Sequence, residues 1–129
     1  MSTARKKTIF LIDDDSLIQK MYTAKFSLQP SFTIQSAANG KDGLKKLQEF
    51  IPDLILLDIM MPEMDGFDVL EKIKKNAALK KIPVIMLTNL DNPTDKAEAL
   101  RRGADGYFVK AFQTPQQVVE KVENLLKMA

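Results

Sequence analysis

The apolar positions of this chain fall into short continuous runs, separated by stretches with helical spacing. Four continuous runs predict strands at residues 7–12, 54–57, 82–88 and 107–110, and residues 32–37 are predicted to form a further strand. Runs of this length that are apolar on both faces are typical of parallel strands buried under helices. The chain is therefore predicted to contain a buried parallel sheet.

The stretches between these strands predict helices at residues 16–28, 41–50, 67–75 and 93–102, and a last helix after Thr114. The predicted apolar stripe of the first helix consists of Leu17, Met21, Ala24 and Leu28. Asp15 or Ser16 is its predicted N-cap. Strict alternation of strand and helix implies right-handed crossovers, with helices on both faces of the sheet.

Four of the predicted strands end at polar residues whose side chains could bind a metal ion or take part in a reaction. These residues are Asp13, Asp14 and Asp15 after the first strand, Asp58 after the third, Thr88 at the end of the fourth and Lys110 at the end of the fifth. Ligands of parallel sheets bind just outside the carboxyl ends of the strands. If these strands are neighbours, carboxylates, a hydroxyl and an ammonium group meet at one edge, a set that suits a divalent metal and a phosphoryl group.

Each of these residues also has a structural explanation when it is considered alone. Three aspartates at a strand-to-helix junction are typical of turns and helix caps. Together, however, crowded aspartates raise each other's pKa unless a cation offsets their charge. Mg²⁺ is the natural cation, because it prefers carboxylate, water and phosphate oxygens. Asp58 would then be a carboxylate nucleophile that forms an acyl phosphate.

The composition excludes several other chemistries. The 129 residues predict one domain and include no cysteine and no histidine, which excludes thiolate sites and a histidine general base. The net charge of +2 is too balanced to argue for nucleic acid, and the basic opening Arg5-Lys6-Lys7 is interpreted as a solvated lead-in. The sequence shows neither a membrane span nor a signal peptide, so a cytoplasmic location is expected.

The motifs resemble the receiver domain of two-component response regulators. They are the acidic pair of segment 12–14 (IDD), segment 57–66 (LDIMMPEMDG), segment 87–88 (LT) and segment 103–110 (GADGYFVK). The resemblance covers about residues 7–127 and implies a single receiver domain over 1–129. It also implies a flavodoxin-like (βα)5 doubly wound parallel sheet of strand order 2-1-3-4-5. The chain ends after the fifth predicted helix, so a stand-alone receiver is expected, and Met1 favours this over an excised piece.

The resemblance also implies a role for each site residue. Asp58 is the phosphoacceptor and takes a phosphoryl group from the phosphohistidine of a histidine kinase or phosphotransfer protein. Asp14 and Asp58 bind Mg²⁺ directly, with Mn²⁺ as a substitute, Asp13 binds it mainly through water, and Met60 contributes its backbone carbonyl.

The resemblance further implies how the conformation of the domain changes after phosphoryl transfer. Thr88 and Lys110 contact the phosphoryl oxygens after transfer, and Tyr107 swings from exposed to buried. The fourth helix, fifth strand and fifth helix then present an altered surface to a downstream protein partner. Neither direct nucleic-acid binding nor a membrane role is expected.

The chain departs from the family pattern after the lysine. The family has a proline there in a cis bond, whereas Ala111 follows Lys110 here. A non-proline cis bond costs roughly 3 kcal/mol relative to trans. Either this cost is tolerated here, or the bond is trans and Lys110 is aimed differently. Because Phe112 stands where the family packs an aromatic residue, the cis bond is the favoured expectation.

Three further residues are predicted to tune access to the phosphoryl group. Asn89 replaces a small residue and could crowd the phosphoryl group or donate a hydrogen bond to it. Met60 and Leu90 are apolar at the two positions that the family uses to control water access. Since neither side chain can orient an attacking water, slow self-dephosphorylation is expected.

Other functions fit parts of the pattern. A magnesium phosphatase or phosphotransferase of the haloacid-dehalogenase type would use Asp58, but would need a second aspartate where Met60 stands. A pseudo-receiver that only binds partners would not need the complete set of site residues. The oligomeric state is open between a monomer and a phosphorylation-linked dimer, in which Lys96 and Asp105 would either pair across subunits or remain solvated.

Overall fold

The computed structural model describes residues 6–126, which form one five-stranded parallel sheet of order β2-β1-β3-β4-β5. The strands are β1 (Lys7–Ile12), β2 (Phe32–Ala37), β3 (Leu54–Leu57), β4 (Val84–Thr88) and β5 (Gly106–Val109). The helices are α1 (Ser16–Ser27), α2 (Gly40–Lys46), α3 (Gly66–Lys75), α4 (Pro93–Arg101) and α5 (Pro115–Leu125). The predicted flavodoxin-like fold and strand order are confirmed. Arg5 of the basic opening and residue 127 of the predicted core lie outside the described residues.

Both faces of the sheet are covered, as the apolar strands predict. The molecule has a hydrophobic core on each face of the sheet, and alternate residues of β1 lie in one or the other. Phe10 lies in the core under α2, α3 and α4, whereas Ile9 lies in the core under α1 and α5. The strands β3 and β4 are fully buried along their length. Burial on both faces explains why these strands are continuous apolar runs rather than alternating ones.

The buried face of α1 is not the predicted one. Leu17, Met21 and Leu28 of the predicted stripe are 63%, 40% and 74% exposed, whereas Tyr22 and Phe26 are 2% and 0% exposed. The helix has apolar residues on two faces, and the aromatic face packs on the sheet because the larger rings bury more apolar area there. This leaves an apolar strip on the outside of α1.

Each of the five α-helices begins at a side-chain N-cap that directly follows the carboxyl end of a strand or the loop after it. The caps are Asp15, Asn39, Asp65, Asn92 and Thr114. The helix N-termini therefore gather at the same edge of the sheet as the strand ends, where their dipoles favour negative charge. Within residues 6–126, none of the helices has the length and apolar character that crossing a membrane requires.

Candidate functional site

The ends of β1 and β3 hold two aspartates side by side. The backbone N–H of Asp58 donates to the carbonyl of Ile12 at 3.0 Å, and that of Asp13 donates to Ala37 at 3.1 Å. These bonds continue the sheet ladders by one residue beyond the strands. As a result both carboxylates are buried, at 0% exposure for Asp13 and 5% for Asp58.

Asp13, Asp14 and Asp58 form a cluster with one carboxylate oxygen each, all within 4.8 Å of one another. Asp13 Oδ1 accepts a hydrogen bond from the backbone of Asp15 at 2.9 Å, and Asp58 Oδ1 accepts one from Ile59 at 2.8 Å. Asp14 is exposed and forms the solvent side of the cluster. Three converging oxygens with a water-facing side suit a hard divalent cation that keeps part of its hydration shell.

Lys110 reaches this cluster from the end of β5. Its Nζ lies 2.7 Å from Asp13 Oδ2 and 3.3 Å from Asp58 Oδ2. Asp13 Oδ2 is buried and makes no well-aligned hydrogen bond within the described part of the chain, so this oxygen retains capacity for a further cationic partner. The cluster therefore holds three carboxylates against one ammonium group.

The pKa values reflect burial opposed by ion pairing. Burial is the main reason that the pKa of Asp13 is raised, and the nearby Lys110 ammonium only partly offsets it. Burial alone would lower the pKa of Lys110, but the Asp13 and Asp58 carboxylates more than compensate, and its pKa is raised. Lys110 is therefore a fixed positive charge at the site.

The expected cis bond after Lys110 is wrong. No cis peptide bond occurs within residues 6–126, so the Lys110–Ala111 bond is trans, and Lys110 still contacts both carboxylates. A short 3₁₀ helix over Lys110–Phe112 carries the chain away from β5. Phe112 is 64% exposed and does not pack as expected. Without proline the trans amide is favoured by about 3 kcal/mol, and the 3₁₀ turn supplies the change of direction.

Thr88 and Tyr107 are linked through one residue of the loop after β4. Thr88 is buried, and its Oγ1 accepts a hydrogen bond from the backbone N–H of Leu90 at 3.3 Å. The Tyr107 hydroxyl donates to the carbonyl of the same Leu90 at 2.7 Å. Tyr107 is half-buried against the core under α4, so it lies inward here. Burial, followed by the Asp95 and Asp91 charges, raises the pKa of Tyr107 to about 12.

The predicted access residues differ in their exposure. The Met60 side chain is 61% exposed, and Asn89 is also exposed. Leu90 instead packs partly against the core. The surroundings of the acidic cluster on this side are therefore open at Met60 and Asn89 and closed at Leu90.

Gly66 is a further residue of the site, for which the sequence analysis gives no role although it ends the segment 57–66. A Cβ at this position would lie 2.1 Å from the Asp58 carbonyl oxygen and 2.7 Å from the Ile59 Cα. The Gly66 N–H donates to the Ile59 carbonyl at 2.8 Å. Only glycine allows α3 to begin this close to the Asp58 backbone, and the glycine at the start of the predicted helix is the sequence signal.

Gln19 is a second residue near the site that the sequence analysis does not predict. Its side-chain Nε2 donates to the carbonyls of Asp13 at 2.7 Å and Ala37 at 3.0 Å. Gln19 precedes Tyr22 by three positions and Phe26 by seven, so it lies on the buried face of α1. The sequence therefore indicates a role for Gln19 only if the Tyr22 and Phe26 face of α1 is taken as the buried one.

Asp105 has partners within the chain. Its Oδ2 lies 3.1 Å from Lys74 Nζ and accepts a hydrogen bond from the Val84 backbone at 2.9 Å. These contacts hold the start of β4 against α3. They give the Asp105 carboxylate a structural role without any second subunit.

A groove of about 700 Å³ between α2 and the end of α3 is lined by apolar residues that include Leu47, Phe50 and Leu79. None of the predicted site residues lines this groove. The acidic cluster therefore lies outside this groove.

The comparisons with known proteins agree with this geometry. The family model described as response regulator receiver domain matches residues 9–123. A curated relative, the probable transcriptional regulator ycf27 of Cyanidium caldarium, is 34% identical over 95% of this chain and 47% of its own length. The chain thus spans about half the length of the curated relatives it matches.

Two solved structures show the same fold in chemically informative states. The structure of the phosphorylated cyanobacterial phytochrome response regulator RcpA matches with a TM-score of 0.84 and 27% identity, over 93% of each chain. The Mn²⁺-bound form of response regulator Rcp1 matches with a TM-score of 0.82 and 26% identity, over 93% of this chain and 94% of that one.

Proposed function

Since this chain belongs to the response regulator receiver domain family of two-component systems, we propose that Asp58 accepts a phosphoryl group from a phosphohistidine. The observation that carries the proposal is the placement of Asp58, whose buried carboxylate lies beside the Asp13 and Asp14 carboxylates and 3.3 Å from the Lys110 ammonium. The donor is a histidine kinase or a phosphotransfer protein.

The donor set fits a bound Mg²⁺ or Mn²⁺. Asp14 and Asp58 would hold the ion directly, Asp13 mainly through water, and Met60 through its backbone carbonyl. The ion would supply positive charge that neutralises the transferring phosphoryl oxygens. The structure of Mn²⁺-bound Rcp1 supports this choice of ion.

The side chains of this chain then carry out the transfer. An Asp58 carboxylate oxygen forms a bond to phosphorus while the bond from phosphorus to the donor imidazole nitrogen breaks, and its electron pair returns to that nitrogen. Hydrogen bonds from Ile59 and the Lys110 ammonium orient the Asp58 carboxylate, so positioning and charge neutralisation supply most of the catalysis.

The phosphoryl group would be sensed by Thr88 and Lys110, which lie at the ends of β4 and β5. Movement of Thr88 would pass to Tyr107, because both contact Leu90. The surface formed by α4, β5 and α5 would change and bind a downstream protein. Relatives such as ycf27 are named as transcriptional regulators, but this chain covers about half of their length, so any output on DNA would lie outside it. The proposal includes a cytoplasmic location, as the sequence predicts.

The test uses a small phosphodonor and a mimic. Acetyl phosphate with Mg²⁺ should add one phosphoryl group to the wild-type chain, as measured by mass spectrometry, and beryllofluoride should change its amide NMR spectrum. Asp58→Asn should abolish both effects, whereas Asp68→Asn, at an exposed carboxylate on α3, should not. If the wild-type chain shows neither response, or if Asp58→Asn retains both, the proposal fails.

A further inference from the structure

Gln19 connects three elements around the acidic cluster. It lies on α1, and its amide group donates both of its hydrogens, to the carbonyl of Asp13 at 2.7 Å and to that of Ala37 at 3.0 Å. Both acceptors are backbone groups just at or beyond the ends of β1 and β2. From this geometry we infer that Gln19 is a positioning residue for the metal site, an inference that rests on the proposed function.

The Asp13 carbonyl belongs to the peptide group that joins Asp13 to Asp14. Because that peptide group is planar, fixing its carbonyl also fixes the direction in which the chain enters Asp14. The sheet ladder alone does not do this, since it engages the N–H of Asp13, which donates to Ala37 at 3.1 Å. Gln19 thus holds the peptide group before Asp14, while the Asp15 N–H, which donates to Asp13 Oδ1 at 2.9 Å, holds the peptide group after it.

Asp14 depends on this support more than the other two aspartates do. Asp13 and Asp58 are 0% and 5% exposed, so the packed surroundings determine where their carboxylates lie. Asp14 is exposed, and its direction follows from the backbone. A neutral amide is suited to the task, because it offers two donors to two carbonyls without adding charge near a cation site.

The test measures metal affinity rather than phosphorylation. Mg²⁺ is titrated into the full chain by calorimetry, at a temperature where each variant is folded. Gln19→Met keeps the shape and neutrality of the side chain but loses both donors, and we expect it to weaken Mg²⁺ binding about tenfold, as loss of an outer partner of a metal ligand does. Gln35→Met, at an exposed glutamine on β2, is the matched control and should bind as the wild type does.

A double-mutant cycle tests the route through Asp14. If Gln19 acts by aiming Asp14, the loss caused by Gln19→Met should largely disappear in an Asp14→Asn background. Gln19→Leu replaces Gln19→Met in the cycle if the latter does not fold.

A Gln19→Met chain that melts at a lower temperature but binds Mg²⁺ with wild-type affinity would show that Gln19 only ties α1 to the sheet. An undiminished loss in the Asp14→Asn background would overturn the inference as well. Failure of the wild-type chain to bind Mg²⁺ would instead remove the proposed function, and this inference with it.

Discussion

Lys110 balances the two buried aspartates beside it. Its ammonium lies 2.7 Å from Asp13 and 3.3 Å from Asp58, and its side chain is 8% exposed. Burial of a carboxylate is unfavourable unless a partner compensates its charge. The lysine that is proposed to contact the phosphoryl group is therefore also needed for stability before phosphorylation.

Replacing Lys110 should consequently destabilise the fold in a way that metal can reverse. Lys110→Met should lower the free energy of unfolding by about 3 kcal/mol in EDTA, because two buried carboxylates lose their cation. Mg²⁺ should restore most of this loss, as measured by urea denaturation with and without the ion. Lys96→Met, at an exposed lysine of α4, should have no comparable effect, and an equal loss in both variants would contradict the prediction.

Both tyrosines of the chain are expected to ionise at a similar pH, which lies above the pH at which free tyrosine ionises. Burial, with the Asp13 charge as a second cause, raises the pKa of Tyr22 to about 12, and burial raises that of Tyr107 to about 12. The folded state thus keeps both phenolic protons, and the stability this contributes is complete below pH 10 and is lost as pH rises toward 12.

The measurement is an absorbance titration of phenolate in the folded chain. Little ionisation is expected at pH 10, where free tyrosine is half ionised. Tyr107→Phe and Tyr22→Phe each leave a single tyrosine and separate the two transitions. A phenolate signal of half a tyrosine or more at pH 10 in either variant would contradict the assignment for the remaining residue.

Self-dephosphorylation should be slow, because the two apolar side chains at positions 60 and 90 cannot orient an attacking water. Met60 is 61% exposed but cannot orient a water, and Leu90 is partly packed on the core. Replacing both, as Met60→Asn with Leu90→Glu, should speed self-dephosphorylation about tenfold, since the new polar groups can position an attacking water. The rate is followed by loss of the acyl phosphate after the donor is removed. The control pair Leu17→Asn with Leu100→Glu changes exposed apolar residues on α1 and α4 and should leave the rate unchanged.

At the scale of elements, α1 shows what a hydrophobic pattern can and cannot decide. Its existence and its Asp15 cap were predictable, because both depend on local sequence. Its orientation was not, because Leu17 and Met21 compete with Tyr22 and Phe26 for the sheet-facing side, and only packing against β1, β2 and α5 decides between them. The helix α3 offers no such choice, because Val69, Leu70 and Ile73 form a single apolar stripe and all three are buried.

The same reasoning explains which parts of the site were predictable. The charged and hydroxyl groups at strand ends could be predicted, because a parallel sheet places successive strand ends at one edge. The path of the chain after Lys110 depends on whether packing of Phe112 offsets the roughly 3 kcal/mol cost of a non-proline cis bond; Phe112 is 64% exposed, so the trans bond and the 3₁₀ turn prevail. Gln19 could not be predicted, because its function lies in two backbone contacts that follow from the orientation of α1.

The orientation of α1 predicts that substitutions at Phe26 and at Leu28, the C-cap of the helix, differ strongly in their effect on stability. Phe26→Ala should cost about 3–5 kcal/mol of unfolding free energy, because it empties a buried ring site. Leu28→Ala, two residues away and 74% exposed, should change stability by no more than about 0.5 kcal/mol. Chemical denaturation of the two variants measures the difference. Similar costs for both would contradict the prediction, and a larger cost for Leu28→Ala would show that the leucine stripe, and not the aromatic one, faces the sheet.

At the scale of the whole molecule, the proposed phosphorylation site and the proposed output surface meet at β4 and β5. Thr88 ends β4, Tyr107 lies in β5, and both contact Leu90 at the entrance to α4. The helix α2 lies on the same face of the sheet but shares none of these contacts. A change at Asp58 is therefore expected to reach α4 and β5 rather than spread evenly through the fold.

Hydrogen exchange with beryllofluoride and Mg²⁺ tests this expectation over the full chain. Amide exchange rates should change in α4 and in the loop before it, and should stay constant in α2. Tyr107→Phe removes the hydroxyl that donates to Leu90, so it should reduce the response of α4 while beryllofluoride still binds at Asp58. Asp58→Asn should abolish the response altogether. Equal changes in α2 and α4, or a full α4 response in Tyr107→Phe, would show that the signal does not travel through the contact between Tyr107 and Leu90.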